Sequence, residues 1–192
     1  GLAGPGRLAE TADIIAEVER AVAHRASLHG VRVLIGAGRT EEAIDPVRVI
    51  TNRSSGRMGF ALAEAARDRG ADVIVVAGPV SIDPPQGVTL VPVTTAAEMQ
   101  RAMQSYADGA DVVLVAAAVS DYRPAMPARD KLKRSAATLT LKLTPNPDIL
   151  AGLGAARHKG QVLVGFALET NDGVANARKK LVSKRVDLIV LN

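Results

Sequence analysis

The chain alternates short apolar runs with longer amphipathic segments, and that alternation constrains its fold more than any other feature. Val31 to Ile35 is a β-branched run ending in Gly36-Ala-Gly-Arg-Thr40. Arg57 to Arg69 carries Met58, Ala61, Leu62, Ala65 and Ala66 at helical spacing and stops at Gly70, the pattern of a helix with a glycine C-cap. Val73 to Ala77 is a second strand, and Val88 to Val93, past the turn Asp83-Pro-Pro-Gln-Gly87, a third. Thr94 or Thr95 caps a helix bearing Met99, Ala102, Met103 and Tyr106. Val112 to Val119 is the most apolar run and belongs at the centre of a sheet. Thr138 to Leu143 alternates with period two, as a half-exposed strand does. Asn146-Pro147 predicts an N-cap with Pro at the first helical position, opening a helix over 148–157. A strand at Val162 to Phe166, a helix at Val174 to Arg185 and a strand at Asp187 to Leu191 complete the series.

Strands joined through helices pair in parallel, with right-handed crossovers. The expected fold is therefore α/β: a Rossmann-like, doubly wound, mostly parallel sheet with helices on both faces. Ligands of such folds lie beyond the carboxyl ends of the strands, which selects the loops after Ile35, Ala77, Val119 and Phe166. Composition agrees. Apolar residues are 47% but aromatic residues only 2%, so the core is aliphatic and the chain is neither a base-stacking RNA module nor an aromatic-rich sandwich. The absence of Cys removes disulfide scaffolds, thiolate zinc sites and Cys nucleophiles, and suits a reducing cytosol. The longest apolar run is far shorter than the roughly 20 residues of a membrane span. Thr11 to Arg25 reads as an amphipathic helix behind a glycine-rich stub, Gly1 to Gly6, and Asn192 directly follows a strand. Both ends are expected to be cuts from a longer protein.

Lys and Arg number 24 against 20 Asp and Glu, and the excess is clustered. Arg123, Arg129, Lys131, Lys133 and Arg134 face one acid, Asp130, and Arg178, Lys179, Lys180, Lys184 and Arg185 face none. Two local basic clusters point to an anionic ligand rather than a nucleic-acid duplex, unless both are merely solvated faces. Gly36 and Gly38 begin a dinucleotide fingerprint, but its third Gly is Glu41 here, and Asp45-Pro46 extends the loop where a helix should open. Thr51-Asn-Arg-Ser-Ser-Gly56 precedes a helix, so free N–H groups, the helix dipole, Arg48, Arg53 and Arg57 together favour an anion; a serine N-cap at Ser54 or Ser55 is the plainer alternative. Small residues in Val115 to Val119 would let a ligand lie against the backbone, with Asp121 to hold a ribose hydroxyl, an amino group or a metal-bound water, or simply to cap a turn. Lys131 and Lys133 on a loop can close over a polyphosphate. Lys180 and Lys184, four apart, share a helix face. His24, His29 and His158 have no partner pattern and receive no role.

Taken together, five segments resemble the phosphopantothenate–cysteine ligase family: Asp45 to Gly59, Ala116 to Tyr122, Lys131 to Arg134, Asn146 to Ile149 and Gly165 to Asn171. The resemblance runs from about Val31 to Asn192, in order and at family spacing. It implies an ATP/CTP-dependent ligase that joins 4′-phosphopantothenate to L-cysteine in coenzyme A biosynthesis through an acyl-nucleotide, in bacteria normally using CTP and Mg2+ and so an acyl-cytidylate. It also implies a fused flavin decarboxylase ahead of this chain, with FMN only there. Residues 1–30 would be that domain's tail and a linker helix, and 31–192 a nucleotide-binding ligase domain lacking its C-terminal part. By motif position, Asn52 and Lys131 would be catalytic. Ala116, Ala117, Asp121, Lys131, Asn146, Pro147, Asp148, Ile149, Phe166, Lys180 and Lys184 would bind the nucleotide. Arg48, Asn52 and Ala117 would hold the acid, and no residue is assigned to metal. A cytoplasmic homodimer without nucleic-acid or membrane partners is implied. Two departures stand out: Arg39 replaces a Gly of the family's first turn, and Arg134 replaces a Lys. The competing readings are a non-catalytic nucleotide-binding module and an NAD(P)-dependent reductase. The reductase would want an acidic or Arg discriminator after the second strand, where Gly78-Pro79 stands.

Overall fold

Six parallel strands form the central sheet of the computed structural model, which describes residues 11, 12, 14, 15, 18, 19, 22, 26–134, 138–168 and 172–191. In chain order, β1 (Arg32–Ala37) leads into a hairpin of β2 (Glu41–Ala43) and β3 (Val49–Thr51), then α1 (Arg57–Arg67), β4 (Asp72–Ala77) and β5 (Thr89–Pro92). Next come α2 (Ala96–Ala107), β6 (Val112–Val115), a ribbon of β7 (Tyr122–Pro124) and β8 (Leu143–Pro145), and α3 (Ile149–Ala156). The described chain ends with β9 (Val162–Ala167), α4 (Gly173–Ser183) and β10 (Leu188–Leu191). The spatial order is β10-β9-β6-β1-β4-β5, every neighbouring pair parallel. The chain thus starts mid-sheet, winds out through β4 and β5, and returns to wind the other way from β6. This is the expected doubly wound Rossmann-like sheet, and its reversal lies between β1 and β6.

Period-two alternation divides the core. Leu34, Val76, Val113 and Leu163 face α2 and α3 with Met99, Met103, Leu150 and Leu153. Val33, Ile35, Val73 and Val75 face α1 with Phe60, Ala63 and Ala66. β1 is buried over 33–37, as a central parallel strand covered on both faces must be. Thr95 caps α2 in a capping box with Glu98, which satisfies two otherwise orphaned N–H groups.

Three local expectations are corrected. β6 ends at Val115 rather than Val119, because its register with β9 stops at Val115↔Gly165. Residues 138–142 form no strand; only Leu143–Pro145 pairs, antiparallel to Tyr122–Pro124, and Leu139 is 60% exposed. Alternation without a ladder partner does not make a strand. α3 is capped by Asp148, whose carboxylate accepts the Ala151 N–H at 2.9 Å, so neither Asn146 nor Pro147 opens the helix. Of the segment 11–25, the described residues 11, 12, 14, 15, 18, 19 and 22 are helical. The tail reading of 1–10 and the 169–171 part of the family segment lie outside the described residues.

Two contacts fix the half of the sheet that matters below. A Cβ on Gly154 of α3 would stand 1.8 Å from the Lys184 carbonyl oxygen, so only glycine lets α3 meet the end of α4. Asp187 ties β9 to β10: its carboxylate accepts the Leu163 N–H at 2.8 Å and an Arg157 guanidinium N–H. The Leu163 N–H outweighs partial burial and, with Arg157, holds the Asp187 carboxyl below its ordinary value.

Gly154→Ala should therefore cost about 2–3 kcal/mol in denaturant unfolding from overpacking. Gly152→Ala, two residues away and meeting only the Gln104 amide at 3.7 Å, should not destabilise and should gain up to about 1 kcal/mol of helix propensity. Equal effects at the two positions would contradict the packing. A carboxylate whose pKa is depressed by folding stabilises above the ordinary range near about 3.9 and loses that contribution as pH falls through the folded value. Asp187→Asn should then lower the melting temperature most at neutral pH, with the gap to the parent closing in acid; a gap constant with pH would refute the assignment.

Candidate functional site

Past Val115 the β6 chain stays bonded to the extension of β1 but leaves β9. The Ala116 N–H donates to the Gly36 carbonyl (2.9 Å), the Ala118 N–H to Gly38 (2.7 Å), and the Thr40 N–H to Ala118 (3.3 Å). Where β6 and β9 part, a cavity of about 330 Å³ opens at the carboxyl edge of the sheet. One wall is Val115, Ala117, Val119, Ser120 and Asp121; a second is Asn146 to Leu150; Phe166 on β9 and Lys180 and Lys184 on and just after α4 form the third.

Each wall is held by its own polar contacts. Asn146 staples the first two: its side-chain amide donates to the Ser120 carbonyl and its N–H to the Asp121 carbonyl, both at 2.8 Å. Its Oδ1 accepts from Arg123, which also donates to the Pro145 carbonyl, each at 2.9 Å. Asp148 caps α3 with one oxygen and pairs with Lys184 Nζ at 3.0 Å through the other. Burial pushes the Asp148 carboxyl up, but the Ala151 N–H, Lys184 and the charge of Lys180 outweigh it and hold it below its usual range.

Asn52 follows β3 and is outside the cavity lining, but its amide donates to the carbonyl of Val119, a residue of the first wall, at 2.9 Å. Thr40 sets both partners. It is fully buried; its Oγ1 accepts the Ser120 N–H at 2.9 Å and its carbonyl accepts the Thr51 hydroxyl at 2.8 Å. Thr40 and Ser120 do not stand out in the sequence, and neither does Glu42, whose buried carboxylate accepts the first N–H of α2 at 2.8 Å. No periodicity marks such residues. The available signal was polar residues crowded directly behind a buried strand.

Of the residues singled out from sequence, Ala117, Asp121, Asn146, Pro147, Asp148, Ile149, Phe166, Lys180 and Lys184 line this one cavity. Ala116 does not; it is the first link between the β6 extension and β1. Arg48 and Lys131 are not in the cavity lining: the Arg48 guanidinium donates to the Leu132 carbonyl at 2.8 Å, and Lys131, the neighbour of Leu132 in the chain, is exposed. The Asp121 side chain is exposed at the mouth.

The loops after Ile35 and Ala77, also expected to form the site, close on each other instead. Arg39 bridges to Ala118, and a Cβ on Gly78 would lie 1.8 Å from the Arg39 carbonyl. The crevice between β1 and β6, where a wound sheet of this order holds a dinucleotide, is filled by the protein's own backbone. The Arg39 side chain turns away, to Glu41 at 3.1 Å and the Ser54 carbonyl at 3.2 Å. Gly56, not a serine, occupies the N-cap of α1 at φ 79°; the Ser54 hydroxyl accepts the Gly56 N–H at 3.3 Å and the Ser55 hydroxyl the first helical N–H, that of Arg57, at 3.5 Å. Arg53 and Arg57 are exposed beside it. Among the described residues, no group of three or more His, Asp or Glu is placed to hold a metal ion, and no helix is long and apolar enough to cross a membrane.

Similar proteins share this architecture. The family described as the DNA/pantothenate metabolism flavoprotein C-terminal domain matches residues 28–192. The "Coenzyme A biosynthesis bifunctional protein CoaBC" of Bacillus subtilis (strain 168) is 48% identical over 195 residues, covering 100% of this chain and 48% of that protein. A "Cysteine/Cysteine sulfinic acid decarboxylase" from an unknown prokaryotic organism is 46% identical over 198 residues, covering 100% of this chain and 55% of that protein. The chain thus spans about half the length of these relatives. The solved C-terminal domain of a CoaBC protein is 44% identical, superposes with a TM-score of 0.77, and is matched over 87% of this chain and 79% of its own. The chain belongs to the family of the DNA/pantothenate metabolism flavoprotein C-terminal domain, the family of the C-terminal domain of CoaBC.

Proposed function

We propose that this chain is the phosphopantothenate–cysteine ligase part of a bifunctional coenzyme A biosynthesis protein. The observation that carries the reading is the single cavity between β6 and β9, walled by Ala117, Asp121, Asn146, Phe166, Lys180 and Lys184, with Asn52 bonded to its rim. Small residues, two lysines and amide groups suit a nucleotide and a second anion. The closed β1/β6 crevice weighs against the NAD(P) reductase.

In the first step a carboxylate oxygen of 4′-phosphopantothenate forms a bond to the α-phosphorus of CTP while the bond to the bridging oxygen breaks, releasing pyrophosphate. In the second, the cysteine amine attacks the acyl carbon, CMP leaves, and the amine loses a proton as the amide forms. Two anions must first be brought together, which is largely a matter of positioning and charge neutralisation. One N–H of the Asn52 amide is spent on Val119, which fixes the group and leaves the other for the carboxylate and then the acyl-nucleotide. Arg48 orders the acid, and Ala117, without a bulky side chain, lets it lie against the strand end. Asp121, Asn146 to Ile149 and Phe166 receive the nucleoside. Lys180 and Lys184 meet its phosphates or base. Lys131 neutralises charge growing on the leaving pyrophosphate. Ala116 contributes through backbone only.

Mg2+ fits as an ion carried in on the triphosphate, since it commonly takes one or two carboxylates plus phosphate oxygens, and Asp121 stands exposed at the mouth. Bound there, it would neutralise phosphate charge. FMN belongs to the decarboxylase half of such a protein. A cytoplasmic homodimer is the matching assembly.

In the intact protein, phosphopantothenate, cysteine and CTP should give amide product and CMP in equal amounts. Asn52→Asp should lower that turnover by at least about 100-fold, the scale for losing an oriented donor at a developing charge. Its melting temperature should fall by only a few degrees, the scale of one lost exposed hydrogen bond to the Val119 carbonyl, with the folded state kept. Full turnover by the variant would remove Asn52 from the reaction.

A further inference from the structure

Leu132 lies inside the long connection between β7 and β8, and both of its backbone polar groups are taken by a turn far away in sequence. Its N–H donates to Asp45 Oδ2 at 3.1 Å, and its carbonyl accepts from Arg48 at 2.8 Å. The same Arg48 guanidinium stands 3.4 Å from Asp45 Oδ2. Asp45 itself is 2% exposed. A carboxylate so deeply placed is costly unless its oxygens are met by donors, and here they divide the work. Oδ1 accepts the N–H groups of Val47 and Arg48, both at 2.8 Å, which makes the local turn. An asparagine could make that turn equally well. Only Oδ2 needs to be a second acceptor: it takes the Leu132 N–H of the distant loop and pairs with Arg48, which itself holds the Leu132 carbonyl. Among the described residues, the other backbone bond from this loop to that turn is the Ala128 N–H on the Ile44 carbonyl at 2.9 Å, so it is Leu132 that ties residues 129–134 to the turn.

We propose that Asp45 is a positioning residue: through Leu132 it latches the β7–β8 loop to the turn that carries Arg48, so that Lys131 is presented from a fixed point. The latch stands on geometry alone; its consequence for turnover rests on the ligase reading. The loop sequence supplies the probe, because Arg129, Lys131, Lys133 and Arg134 are tryptic sites.

Asp45→Asn keeps the Oδ1 bonds and replaces Oδ2 with a group that cannot accept. Cleavage after Lys131 and Lys133 in the intact protein should become about tenfold faster, as expected for losing one charge-assisted hydrogen bond that closes a local segment. Ligase kcat should fall by a similar factor, with KM for CTP changed by less than about twofold, since Lys131 acts on charge that develops during reaction. An unchanged cleavage rate overturns the proposal, and so does faster cleavage with unaltered kcat. A parent without ligase turnover whose Asp45→Asn variant is still cut faster would refute the ligase reading and support the latch. Should Asp45→Asn fail to fold, amide hydrogen exchange on the parent decides: the Leu132 N–H should exchange at least about tenfold more slowly than those of Lys131 and Lys133, and equal rates overturn the latch.

Discussion

Past Val115 the backbone of β6 stays bonded to only one of its two neighbours, and the place of the candidate site follows from which one it keeps. It stays with β1, through Gly36, Gly38 and Thr40, and releases β9. The fold has the strand order that in many proteins opens a crevice at the sheet reversal. Here the reversal is sealed by a continued ladder, and the opening moves one strand across. That displacement is why the site is walled by α3 and α4 rather than by the turn after β1. It also explains how Arg39 can stand in that turn, since its side chain is directed to Glu41 and Ser54 on the far side.

Loops built from irregular backbone need their polar groups satisfied, and this protein does so with a few buried side chains. Thr40 serves the β6 extension and the Asn52 turn at once. Asp45 joins its own turn to the β7–β8 loop. Glu42 holds the start of α2. Among the described residues no buried side-chain nitrogen or oxygen is left without a partner. These residues do not face the cavity. They determine where the residues that do face it can stand, which makes the two antiparallel ribbons part of the sheet's carboxyl edge rather than loose appendages.

The sheet was legible in the sequence because buried parallel strands and amphipathic helices leave strong periodic marks: β1, β4, β9, α1 and α2 all appear where their patterns lie. The small-residue strand end and the Lys180/Lys184 pair stood out by residue type, Asn146 and Phe166 as binding residues only through the family resemblance, and nine of the expected positions line one cavity. The failures have physical causes. The end of β6 depends on a neighbour that departs, which no local pattern records. The alternation over 138–142 is real, but without a ladder it stays open to solvent. Asn146 looked like a cap because Asn-Pro suits one, yet its amide had a better use across the cleft, and Asp148 took the cap. Thr40 and Asp45 act through partners about eighty residues away, a distance at which spacing carries no information.

The most direct test is a crystal structure of the intact protein with CTP. The account predicts the nucleotide between β6 and β9, its cytidine against Asn146 to Ile149 and Phe166 and its phosphates within reach of Lys180 or Lys184. A nucleotide seated instead between β1 and β6, displacing the Arg39–Ala118 bridge, would contradict it.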